Sequence, residues 1–270
     1  MKAYVIGIAS DRVHQNKAVK KLNYLGFDGV ALAGVNGRQD GIDAKDHVSL
    51  ASRFQSSYMK NRATHWQLPV HDLRGALGCS LSHLKVWKDM VANDISFAIV
   101  GESDMLPHHN LSDRVNAALA YKDDWDLVLL GYTTTNYYLK DTHLENTYKK
   151  FKKGKSGFFG THGYLVSKKG AQTMIDHFYP VEYQTDAYLT MLIYLDKLRT
   201  WYDTTKPVHV RKIVGKKSST QVGNSGRLSF CHGAPFAVSP GYIAMYVLFI
   251  VLLVLSFTFI VLYSQERKKN

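Results

Sequence analysis

Short apolar runs alternate with helical-period segments over roughly the first three-quarters of the chain, and that alternation sets the expected elements. Ala3–Ala9 (AYVIGIA) reads as a first buried strand, followed by a helix with apolar positions at Ala18, Val19, Leu22 and Leu25. Phe27–Ala33 predicts a second strand that ends at the turn Asn36-Gly37. From about Gly78 to Val91 a helix is expected, with Leu77, Leu81, Leu84 and Trp87 on one face, and Ser96–Val100 predicts the next strand. A helix over Asn110–Tyr121, capped by Asn110 or Ser112, precedes a strand over Trp125–Gly131. Gly163–Ser167 reads as a strand running into a helix over Lys168–Phe178. A helix from about Asp186 to Leu195 and strands near Leu198–Tyr202 and Val208–Val210 complete the series. Residues 38–72 are polar and aperiodic, Tyr132–Tyr138 (YTTTNYY) is an aromatic, hydroxyl-rich loop, and residues 213–226 form a Gly/Ser-rich lid candidate. Strands and helices in alternation predict an α/β fold around a central, mostly parallel sheet.

The pattern changes at Gly241. From there to Tyr263 no charged residue occurs, and those 23 residues, at about 1.5 Å each as a helix, reach across a bilayer core of about 30 Å. Tyr242, Tyr246 and Tyr263 lie toward the ends, where interfacial aromatics sit. The expected organisation is a globular domain over 1–235, a linker over 236–240, a single C-terminal transmembrane helix over 241–263 and a basic tail over 264–270. The N-terminal apolar run is too short for a signal peptide. A C-terminal anchor with the globular domain on the cytosolic side is therefore expected.

Hydrophobic residues make up 46% and charged residues 21% of the chain, a balance that folds rather than remaining disordered. The net charge of +12 suits anionic substrates or lipid headgroups. Its densest run, Lys149–Lys155 (KKFKKGK), reads as a solvated loop. No recognised nucleic-acid-reading fold is visible, so a nucleic-acid partner is not expected. Two cysteines, Cys79 and Cys231, make no disulfide framework and fit a reducing compartment.

The chemistry centres on Glu102-Ser103-Asp104, which follows a buried strand. In an extended segment, residues i and i+2 face the same way. Glu102 and Asp104 would then meet one hard divalent cation of the Mg or Mn class at the carboxyl end of a sheet strand. Ser82 and His83 are adjacent on a helix and do not face each other, which removes a hydrolase dyad. Cys79 and His83, four apart, can meet; no third orienting group is evident, so they read as a buried thiol with a structural imidazole. Signatures of nicotinamide, P-loop and zincin chemistry are missing.

Together, the near-terminal strand followed by Asp11-Arg12, then ALAGVNG, GALGCSLSH and the acidic triplet resemble glycosyltransferase family 25. That family includes bacterial lipopolysaccharide galactosyltransferases and animal collagen galactosyltransferases. Its G-x-x-G-C-x-x-S-H element corresponds to Gly75, Gly78, Cys79, Ser82 and His83. A later element appears as GTHGYLVSKKGA from Gly160 to Ala171, followed by Pro180, Val181, Glu182 and Asp186. The family's triplet is E-D-D, and Ser103 here replaces the middle acid.

The resemblance implies a GT-A-like nucleotide-sugar-binding domain and an inverting, metal-assisted transfer of a hexose, galactose or glucose. The donor would be a nucleotide sugar, and the acceptor a hydroxyl of a glycan, glycolipid or glycoprotein. It implies Glu102 and Asp104 as Mn or Mg ligands. Asp186 is the first candidate for the base that deprotonates the acceptor, and Glu182 the second. It places Asp11, Arg12, Asn36, Gly37, Ser82, His83 and Tyr132 around the donor and acceptor sugars. The alternative is a catalytically inactive, membrane-tethered binding or scaffold protein of the same fold, which the loss of the middle acid at Ser103 favours.

Overall fold

The computed structural model of the chain describes residues 1–42, 47, 73–134, 139–141, 147–151, 158–181, 183–211 and 251. The chain divides into two compact units, Met1–Leu228 and Ser229–Asn270. Of the second, the described part is Val251 alone, in helical conformation. The expected membrane-crossing segment 241–263 otherwise lies outside the described residues. Among the described residues no helix is long and apolar enough to cross a membrane.

The first unit is built in the order β1 (Lys2–Gly7), α1 (Arg12–Tyr24), β2 (Asp28–Ala33), α2 (Leu73–Ala92), β3 (Phe97–Glu102), β4 (Met105–Pro107), α3 (Leu111–Leu119) and β5 (Leu127–Thr134). Then come β6 (Leu139–Asp141), β7 (Tyr148–Phe151), β8 (Phe158–Ser167), α4 (Lys168–Asp176), α5 (Thr185–Tyr194), β9 (Thr200–Asp203) and β10 (Val208–Val210). An eight-stranded sheet runs β2-β1-β3-β8-β5-β9-β7-β6, and β4 pairs with β10 in a separate two-stranded ribbon.

Alternation along the central strands sorts side chains into two cores. Tyr4, Ile6 and Val100 face one side, with Leu77, Leu84 and Trp87 of α2 and Leu189 and Leu192 of α5. Ala3, Val5 and Ile99 face the other, with Leu22 of α1 and Leu111, Val115 and Ala118 of α3. The strands read as near-continuous apolar runs because both faces are covered. Each large side chain so buried contributes about 1.5–3 kcal/mol.

The expected mostly parallel sheet is mixed. β1 pairs in parallel with β2 and β3, and β5 with β9. β8 is wedged antiparallel between β3 and β5, and β7 runs antiparallel to β9 and β6. The basic run is also not wholly a loop, since Lys149–Phe151 belongs to β7, with Lys150 Nζ 5.7 Å from the Trp201 ring centroid. Asn110 is the N-cap of α3, its carbonyl accepting Arg114 N–H at 3.0 Å, though its side chain makes no cap bond; the Ser112 hydroxyl donates to the Leu25 carbonyl at 2.6 Å, tying α3 to the end of α1.

One buried ion pair holds the far half of the sheet. Arg114 Nε donates to Asp203 Oδ2 at 2.7 Å, and the backbone N–H and hydroxyl of Thr205 both donate to Asp203 Oδ1. Asp203 has no exposure to solvent. Asp203→Ala leaves the guanidinium without its partner and is expected to cost about 3–5 kcal/mol. A urea melt of the two proteins side by side measures it, and a loss under 1 kcal/mol would show the pair to be dispensable.

Candidate functional site

The parallel strands set the site's position. Gly7 is level with Ala33, and Ile6 with Glu102, so the loops after β1, β2 and β3 leave the sheet side by side. Ligands of open α/β sheets bind beyond such carboxyl ends.

The loop after β2 lies directly on α2. A side chain at Gly37 would put its Cβ 1.8 Å from the Arg74 carbonyl oxygen, and one at Gly78 would sit 2.6 Å from the Gly37 nitrogen. Both glycines are there so that two backbones can touch. Neither Asn36 nor Gly37 has a positive φ, so the pair is not a type I′ turn. Ser82 fixes the contact: its hydroxyl accepts from Val35 N–H at 2.7 Å and donates to the Gly78 carbonyl at 2.6 Å. The Asn36 side chain is spent within its own loop, donating to Gln39 and accepting from Arg38 N–H.

β3 extends to Glu102, and a tight turn at Ser103-Asp104 leads into β4. Glu102 thus ends a strand and Asp104 sits in the turn after it, rather than both lying along one extended strand. Glu102 Oε1 accepts the Thr161 hydroxyl at 2.7 Å and lies 3.8 Å from His83 Nε2. Burial pushes its pKa up, but the adjacent His83 ring, the Thr161 bond and the His162 ring outweigh this and hold the group below the usual carboxylate range. Asp104 behaves oppositely. Burial, then the Glu102 charge and the more distant Asp11, push its pKa up to about 7, against a pull from Arg211. Asp104 Oδ1 is buried without a hydrogen-bond partner among the described residues. The ribbon holds Asp104 in place: Arg211 N–H, just past β10, donates to its carbonyl at 2.9 Å, and Val210 is level with Met105.

Asp186, in the first turn of α5, accepts from Gly160 N–H at 2.9 Å and Ala187 N–H at 2.8 Å. Burial raises its pKa, the two N–H bonds oppose that, and the Glu102 charge adds to the rise. Asp11, Glu102 and Asp104, at or after the ends of β1 and β3, with Asp186 at the start of α5, thus form one electrostatically coupled set. Hard carboxylate oxygens, one of them buried and unpartnered, fit a Mg- or Mn-class cation at Glu102 and Asp104.

Several expected contacts take other roles. Ser82 is buried and ties the loop after β2 to α2, and His83 is buried beside Glu102. His83 Nδ1 lies 2.8 Å from the Tyr164 hydroxyl, which also accepts from Trp87 Nε1 at 3.0 Å. Tyr132 is a core residue whose hydroxyl donates to the Asp203 carbonyl at 3.0 Å, not a wall of the cleft. Arg12 is exposed at the start of α1 and Gly37 is buried against α2. Glu182 lies outside the described residues. Sequence reading missed Thr161, His162 and Arg211. The first two stood in plain sight inside GTHGYLVS; Arg211, following a three-residue strand, carried no signal.

Residues 1–189 match the profile described as "Glycosyltransferase family 25 (LPS biosynthesis protein)". Procollagen galactosyltransferase 2 of Homo sapiens is 26% identical over 125 residues, 41% of this chain and 20% of its own length. Inactive glycosyltransferase 25 family member 3 of Mus musculus is 27% identical over 147 residues, 46% of this chain and 25% of that protein. The chain thus spans about a fifth to a quarter of the curated relatives it matches. A 4-diphosphocytidyl-2C-methyl-D-erythritol synthase of Anaerococcus prevotii aligns over 78% of this chain and 88% of its own at 9% identity, with a TM-score of 0.39.

Proposed function

The chain belongs to glycosyltransferase family 25, and from that premise we propose that it moves a hexose, galactose or glucose, from a nucleotide sugar to an acceptor hydroxyl on a glycan, lipid or protein, within a GT-A-like domain. The observation that carries this reading is the set of three carboxylates at or after the ends of β1 and β3, with Asp186 of α5 coupled to Glu102 and Asp104 Oδ1 buried and unpaired. Glu102 and Asp104 would hold a Mn- or Mg-class cation, which supplies charge neutralisation for the departing nucleoside diphosphate. Thr161 and His83 keep Glu102 ionised and aimed, while Asp11 adds negative charge from the loop after β1.

Asp186 is the base in this reading. Transfer with inversion needs the acceptor hydroxyl to lose its proton as the sugar–oxygen bond forms, and a carboxylate with a raised pKa accepts that proton more readily. Its two N–H partners fix its orientation. Asp186→Asn is expected to lower kcat by about a hundred- to ten-thousandfold with little change in donor KM. Steady-state kinetics on the full chain with UDP- and GDP-hexoses and Mn would show it; an unchanged kcat would remove Asp186 from the chemistry.

A second reading is a catalytically silent member that retains the fold, favoured by Ser103 in place of an acid. Thermal shift with the same donors separates the two. Stabilisation by one nucleotide sugar only with Mn, followed by turnover, supports transfer; binding without turnover against any acceptor hydroxyl supports the silent member. The apolar segment 241–263 we propose as a single-pass anchor with the catalytic domain on the cytosolic side, testable by membrane fractionation and protease protection.

A further inference from the structure

We infer that Cys79, His83 and Glu102 form a binding site for a zinc-class cation, and that a cation held there takes Glu102 away from the Mn- or Mg-class position it shares with Asp104. Cys79 and His83 stand four residues apart on α2, so both side chains leave the same face of the helix. Glu102, at the end of β3, meets them there. The Cys79 sulfur, a His83 ring nitrogen and a Glu102 oxygen all lie within 4.8 Å of one another, with His83 Nε2 and Glu102 Oε1 3.8 Å apart. Tetrahedral zinc, with bonds of about 2.0–2.3 Å, sets its ligand atoms about 3.3–3.6 Å apart. Small rotations of the thiol and carboxylate close that gap.

The surroundings are those of a built site. His83 has no exposure to solvent, and its other ring nitrogen is held by the Tyr164 hydroxyl, itself anchored by Trp87. A hydroxyl accepts as readily as it donates, so Tyr164 can accept the Nδ1–H hydrogen bond and leave the Nε2 lone pair toward the cation. Glu102 is steadied by Thr161, and the Cys79 sulfur lies 3.8 Å from the Thr185 hydroxyl. Asp104 and Asp186 stand close enough to act on the thiol, so the position is electronegative. Binding releases the thiol proton to solvent and forms a sulfur–metal bond. One thiolate, one imidazole and one carboxylate make a mixed set that Zn satisfies and that Mg or Mn, seeking oxygen, does not. The exclusion half of the inference rests on the transferase reading of Glu102 and Asp104; the thiol site itself does not.

The full, reduced chain is titrated with Co2+ as a spectroscopic stand-in for zinc. The expected result is a sulfur-to-cobalt charge-transfer absorption in the near ultraviolet that Zn2+ removes, that Cys79→Ser lacks and that Cys231→Ser keeps. A measurement without variants accompanies it: Zn2+ should slow iodoacetamide labelling of Cys79, read on its peptide by mass spectrometry, by at least about tenfold. No absorption, or an absorption that survives Cys79→Ser, overturns the thiol site, as does labelling unaffected by Zn2+. Electron paramagnetic resonance then reads bound Mn2+: its release by one equivalent of Zn2+ supports the exclusion, and its retention overturns that half. A chain that never binds Mn2+ but shows the cobalt signal keeps the thiol site and overturns the shared-ligand exclusion.

Discussion

Asp104→Asn is expected to abolish divalent-cation binding and to lower sugar transfer by at least about a thousandfold, the several kcal/mol that a metal ion contributes to leaving-group charge. The side chain stays the same size, so the loss is chemical rather than steric. Its pH signature follows from the raised pKa of about 7. Because the fold favours the protonated acid, Asp104's contribution to stability is full below the ordinary carboxylate range and is lost as pH rises through about 7. Cation binding runs the other way, since it needs the carboxylate. Affinity for Mn should tighten about tenfold per pH unit up to 7 and level off above it. In Asp104→Asn both slopes from this group vanish. Calorimetric titration of Mn at pH 5.5, 6.5 and 7.5 checks the prediction; pH-independent binding would mean Asp104 is not a ligand.

Gly78→Ala is expected to destabilise the protein strongly. The new Cβ would meet two backbone atoms of the neighbouring loop, Gly37 N at 2.6 Å and Val35 O at 2.7 Å, and neither can rotate away. Overpacking of this kind typically costs 1–3 kcal/mol, and with backbone on both sides the expected loss is about 3 kcal/mol. Relief comes only by lifting residues 34–37 off α2, which breaks the Val35 N–H bond to Ser82. Donor binding is therefore expected to fall with stability. Thermal melts with and without a UDP-hexose measure both, and a variant with wild-type stability would show the loop free to move aside.

Much of this was legible because the signals are local. The apolar runs around Val5, Ile99 and Leu129 place three strands correctly, and Leu77, Leu81, Leu84 and Trp87 place α2. β8 shows where locality fails. Its sequence resembles any buried strand, and nothing in a single strand's periodicity reveals that its neighbours run the opposite way. β7 was hidden by its lysines, although it lies inside the sheet between β9 and β6, with the Lys150 ammonium over the Trp201 ring. At the site, Glu102 and Asp104 could be marked from residue type and spacing, and Asp186 from the family resemblance. The roles of Ser82, His83 and Tyr132 could not, because whether a polar atom faces a ligand or another protein group depends on partners 47 to 81 residues away.

The ribbon of β4 and β10 has a practical corollary for anyone excising the domain. Family similarity ends at residue 189, yet the strand that braces Asp104 begins at Val208. Val208 rests on Gly131 and Gly163, two positions where any larger side chain would displace it. A fragment cut at the similarity boundary would also lack β9 and Asp203, leaving Arg114 without its counter-charge. The smallest piece able to keep its acids in register therefore runs through Arg211, and homology alone would place the scissors one layer too early.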